Sequence, residues 1–124
     1  AIHDRYAALL TAVEGVRILG EAPWGRGNAW LTLAWFDNPD DVERVRLELG
    51  HRGIESRHAW KPLHLQPVFA GLTDVALPVA ESLFDHGLCL PSGSVLTEDD
   101  VAEVAGCVAE VMTDRKAAET GERP

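Results

Sequence analysis

The sequence predicts an α+β domain of two layers: a short mixed or antiparallel sheet of about three strands, with helices packed on one face. Three observations predict it. Short β-branched and aromatic runs suit half-buried strands, amphipathic runs at helical spacing alternate with them, and 124 residues suffice for a single hydrophobic core.

The elements follow in order. Ile2, Tyr6, Leu9, Leu10 and Val13 recur at helical spacing, with Gly15 as a stop just beyond them. "GEAPWGRGN" (20–28), with three glycines and a proline, reads as a loop, and "AWLTLAWF" (29–36) as a buried strand. Asn38 then caps a helix in which Pro39 suits the first position and Asp40 and Asp41 complement the positive end. That helix carries Val42, Val45, Leu47 and Leu49 and ends near Gly50 or Gly53. "IESRHAW" (54–60) is the next strand, and the helix between the two strands makes a right-handed crossover, so both should run the same way. "LPVAESLFDHG" (77–87) is a short helix with Val79, Leu83 and Phe84 inward, and "LCLP" (88–91) a strand joining the others antiparallel. Thr97, with Asp100 three residues on, opens a last helix that carries Val101, Val104, Ala105, Val108 and Val111 to about Met112. Residues 1–113 form one domain and 114–124 a disordered tail.

Composition narrows the function. Eleven basic against twenty acidic residues give a net charge of −9, a field that repels nucleic acid and anionic membranes. No stretch approaches the roughly 20 apolar residues of a membrane-spanning helix, and the N-terminus does not have the pattern of a signal peptide. Two cysteines, Cys89 and Cys107, in apolar settings point to a reducing, cytoplasmic compartment. The missing initiator Met suggests processing or a fragment of a longer protein.

Several catalytic readings give way to plainer ones. His58 and His64, or His86 and Cys89, match no metal-ligand spacing. Cys89 between leucines reads as a structural thiol, Ser92 and Ser94 lack the G-x-S-x-G order, and His86 reads as a helix C-terminal cation. The glycines and Arg26 of the first loop precede a strand rather than follow one, the wrong context for a phosphate cradle.

The stretch "RHAWKPLHLQPVFAG" (57–71) survives this sieve. Pro62 and Pro67 each remove a backbone donor, fix their own φ and push the preceding residue towards extended geometry. Trp60, Leu63 and Leu65 read as core plugs. Arg57, Lys61, His64 and Gln66 supply fixed donors suited to a polar or anionic ligand, against the alternative of a structural crossover with a satisfied imidazole.

"GIESRHAWKPLHLQPVF" (53–69), followed by "VAESLFDHGLCLPSGSVLTEDDVAEV" (79–104), closely resembles the C-terminal domain of the DegT/DnrJ/StrS sugar aminotransferases. The Trp-Lys-Pro-Leu-His form is most similar to the branch acting on nucleotide-linked acetamido keto-sugars, and "DRYAALL" and "NAWLTLAWFD" fall where the family has a helix and a strand.

The resemblance implies a pyridoxal-phosphate enzyme of the aspartate-aminotransferase fold, a homodimer, in which this domain covers a cleft formed by a larger N-terminal domain. It implies amino transfer from glutamate or glutamine to a nucleotide-linked keto-sugar. His64 would face cofactor and sugar; Trp60, Lys61 and Gln66 would shape the substrate pocket, with Arg57 beside them; Pro62 and Pro67 would keep the loop rigid. The chain's two lysines, Lys61 and Lys116, lack the setting of a Schiff-base lysine, so this chain alone should not transaminate. The alternatives are a stand-alone module binding a sugar nucleotide or a protein, and an assembly domain awaiting its other half.

Overall fold

The computed structural model describes residues 1–71 and 76–121. In chain order it contains α1 (Ile2–Leu10), β1 (Val16–Ile18), β2 (Thr32–Phe36), α2 (Pro39–His51), β3 (Arg57–His58), α3 (Pro78–His86), β4 (Gly87–Leu90) and α4 (Glu98–Thr120). Two single-turn 3-10 helices, Leu63–Leu65 and Pro67–Phe69, lie between β3 and α3.

The sheet has four strands in the order β1-β2-β4-β3, every neighbouring pair antiparallel. β2 and β3 therefore run the same way with β4 between them, as the crossover requires. The fourth strand, β1, is an element the sequence reading lacks. "VRI" is too short to show alternation, and it is defined by its pairing of Val16 with Phe36 and Ile18 with Ala34.

Alternation along β2 separates two faces. Thr32, Ala34 and Phe36 are buried with Leu88 and Leu90 of β4 against Tyr6 and Leu10 of α1, Val42, Val45 and Leu49 of α2, and Val101, Val104 and Val108 of α4. On the other face β2 carries Leu33 and Trp35, next to Cys89 and Gly87 of β4 and Arg17 of β1. Gly87 is required here: a Cβ would stand 2.3 Å from the Leu83 carbonyl oxygen and 2.9 Å from the Ala59 Cβ. Gly15 turns the chain into β1 at φ 82°, with the Met112 Cε 3.0 Å from where a Cβ would be.

The helix ends follow their caps. Asn38 accepts from the Asp40 N–H at 3.1 Å, with Pro39 opening α2. Thr97 and Asp100 form a full capping box at the start of α4.

Several expectations are corrected. α1 closes at Leu10, and the Val13 N–H donates to the Leu10 carbonyl in a turn. The strand read at 54–60 shrinks to two residues, because Gly53 at φ 74° and the Ile54 N–H, donating to the Leu49 carbonyl, still belong to the end of α2. Val79 and Leu47 face outward. α4 continues to Thr120, through residues read as a tail. Its added turns are anchored by Arg115 on buried Asp41 at 2.8 Å and by Lys116 on Glu14. Residues 122–124 lie outside the described residues. Trp60 and Leu63 are each about two-thirds exposed and Leu65 is also exposed, so none of the three plugs the core. The chain leaves the sheet after the Ala59 N–H bonds the Gly87 carbonyl, and beyond it Pro62 is the covered residue.

Candidate functional site

The proline segment is built as expected from its own chemistry. Gln66, just before Pro67, is extended (φ −78°, ψ 139°), and each proline opens or precedes a 3-10 turn. The Leu65 and Phe69 N–H groups close these turns onto the Pro62 and Gln66 carbonyls at 3.0 and 2.9 Å. The segment thus satisfies much of its own backbone and needs no sheet partner.

Two neighbouring clefts meet at its start. One, of about 880 Å³, runs along the β3 edge to the first turns of α4; its walls include Trp30, Arg57, Trp60, Cys89, Asp100 and Glu103. The other, of about 1090 Å³, lies between the N-terminus and the 20–29 loop, and its walls include His3, Arg26, Trp30 and Trp60. Trp30 and Trp60 stand between the two, ring centres 6.1 Å apart and tilted by 36°. Trp30 precedes β2 rather than lying in it, and it is 68% exposed. The sequence reading missed it as a site residue, and its only signal was a second tryptophan outside the alternating run.

Of the five residues singled out beforehand, Arg57 and Trp60 wall the cleft along the β3 edge, whereas Lys61, His64 and Gln66 line neither cleft. Arg57 is exposed and donates to Glu55 at 2.6 and 2.9 Å. Lys61 is exposed, and its carbonyl accepts from the Gln66 side-chain amide at 3.4 Å. His64 has only 11% of its side chain exposed. Its Nε2 lies 2.9 Å from Glu81 Oε1, and its covered Nδ1 has no hydrogen-bond partner among the described residues. The Leu77 N–H and then His64 hold the Glu81 carboxyl below its ordinary value.

The remaining titratable candidates are structural. His86 Nδ1 donates to the Phe36 carbonyl at 2.7 Å, and its ring stacks on Trp35 at 4.7 Å, tying α3 to β2. Burial pushes the Cys89 thiol up, away from the nucleophilic thiolate. Ser92 Oγ donates to the Leu90 carbonyl and accepts from the Thr32 N–H, which closes the turn after β4. Among the described residues no cluster of three or more His, Cys, Asp or Glu side chains could hold a metal ion, and no helix is long and apolar enough to cross a membrane.

Lys61 is solvated and Lys116 is ion-paired with Glu14, whereas a Schiff-base lysine must be desolvated and able to lose its proton.

Comparison with known proteins gives this geometry its context. Residues 1–109 match the profile of the DegT/DnrJ/EryC1/StrS aminotransferase family. The chain is 40% identical over 111 residues to the "Putative pyridoxal phosphate-dependent aminotransferase EpsN" of Bacillus subtilis (strain 168), covering 83% of this chain and 28% of that protein. It is 31% identical over 108 residues to the dTDP-4-dehydro-2,3,6-trideoxy-D-glucose 4-aminotransferase of Saccharopolyspora spinosa, covering 84% of this chain and 26% of the relative. Among solved structures, the aminotransferase TlmJ from Streptoalloteichus hindustanus superposes with a TM-score of 0.81 at 26% identity, over 92% of this chain and 30% of that one. The chain thus spans less than a third of the length of these relatives. By its profile match and these relatives, this chain belongs to the DegT/DnrJ/EryC1/StrS aminotransferase family.

Proposed function

We propose that the chain is the small C-terminal domain of a pyridoxal-phosphate-dependent enzyme that moves an amino group from glutamate or glutamine to a nucleotide-linked keto-sugar, and that it is inactive alone. In this reading the cofactor is held by polypeptide outside this chain, in a cytoplasmic homodimer. The observation that carries it is the exposed Trp30–Trp60 pair beside Arg57, at the mouth of a cleft on a domain of this family.

The chain's residues then have distinct tasks. The indole of Trp60 offers a flat apolar face to a sugar ring or base, and the Arg57 guanidinium suits a diphosphate. Asp100 and Glu103 line the same cleft, so sugar hydroxyls belong towards these acids, and a phosphate at Arg57 would displace its partner Glu55. Gln66 braces the loop through the Lys61 carbonyl, and His64 through Glu81. Covering the cleft excludes water and orients the sugar for reaction.

The test is spectroscopic. Pyridoxal phosphate added to this chain should give no internal-aldimine absorbance band, and a longer natural polypeptide containing it should give one and aminate a nucleotide keto-sugar. A specific, lysine-dependent band from the chain alone would overturn the reading.

A further inference from the structure

The geometry points to Glu81 as the positioning residue of the substrate-side loop, one that fixes His64 as the Nε2–H tautomer and leaves Nδ1 as a hydrogen-bond acceptor. This deepens the function proposed above and rests on it.

A single oxygen carries the arrangement. Glu81 Oε1 accepts the Leu77 N–H at 3.0 Å and faces His64 Nε2 at 2.9 Å. α3 has no side-chain cap from its N-cap residue, Leu77, so the carboxylate one turn into the helix reaches back to that N–H. The Leu77 N–H can only donate, and the carboxyl is held ionised, so the oxygen is an acceptor to both neighbours. His64 must therefore place a proton on Nε2.

Nδ1 is covered and has no partner among the described residues. A lone pair left there costs less than an unpaired N–H, so the neutral ring is driven the same way from both ends. The loop is thereby pinned to α3 midway between its two prolines, and Trp60 is presented from a fixed base.

The test is imidazole nitrogen NMR on the ¹⁵N-histidine-labelled 124-residue chain at pH 8, above the ordinary imidazole range of about 6.5. The expected result is a protonated Nε2 with an observable Nε2–H and an unprotonated Nδ1 for His64. E81A should lose the Nε2–H signal to solvent exchange and exchange its Leu77 amide about 10-fold faster or more. E81Q, whose amide oxygen can accept both bonds, should retain the signal. Wild-type His64 protonated on Nδ1, or as an even mixture, would overturn the assignment, as would an E81A spectrum identical to wild type. If E81A does not fold, the wild-type and E81Q spectra still decide. The spectra do not depend on turnover, so unaltered catalysis in R57A and W60A enzymes would defeat the substrate reading and leave the Glu81 assignment standing.

Discussion

The face of the sheet packed against α1, α2 and α4 and the loop that leaves β3 are built from similar residue types to opposite ends. In the first, Tyr6, Phe36, Leu49 and Leu88 are fully buried, and the Tyr6 hydroxyl donates to the Pro91 carbonyl while burial pushes its pKa up to about 12. In the second, Trp60, Leu63 and Val68 stand in the open, and the backbone is shaped by two prolines, two 3-10 turns and one glutamate. The difference teaches that apolar residues serve two ends in this chain: burial, which holds the fold, and display, which the proposed function assigns to substrate recognition. One part gains from hiding apolar surface; the other accepts the cost of displaying it.

Perturbing each part should separate them. Phe36→Ala should have the largest effect, lowering unfolding free energy by about 3–5 kcal/mol in urea, because it empties the centre of the packed face. Arg115→Met should come next, at about 3 kcal/mol, since it removes the close partner of the fully buried Asp41 carboxylate and leaves only Arg44, 3.9 Å away. Replacing Asp41 and Arg115 together with apolar residues should recover most of that loss. Smaller still is an acid effect. Bonds from Arg46 chiefly, and from His58, lower the Glu43 carboxyl to about 2 from an ordinary 4.5. A depressed carboxyl stabilises the fold above its unfolded pKa and loses that contribution as pH falls through its folded one. The contribution should therefore fade between about 4.5 and 2, and Glu43→Gln should remove it, with less than about 1 kcal/mol at stake because the pair is exposed. Trp60→Ala should change stability least, within about 0.5 kcal/mol by the same urea titration.

The sequence disclosed the packed face more readily than the loop. The apolar spacing of Val42, Val45 and Leu49, the Asn38 and Thr97 caps and the direction of the crossover all rest on local rules, and the structure obeys them. β1 and the far end of α4 were not legible, because distant partners define them: Phe36 for Val16, and Asp41 for Arg115. In the loop, the prolines marked the rigid stretch, but Trp60, Leu63 and Leu65 looked like core because apolarity does not say which way a side chain points. Glu81 was invisible as a partner of His64, since seventeen residues separate them and a glutamate inside a helix usually faces solvent.

The most direct test of the recognition loop is steady-state kinetics of Arg57→Ala and Trp60→Ala in the longest natural polypeptide carrying this chain. The proposed function predicts that each raises KM for the nucleotide keto-sugar about tenfold or more, with unfolding free energy unchanged. Unaltered KM and kcat in both variants would contradict it.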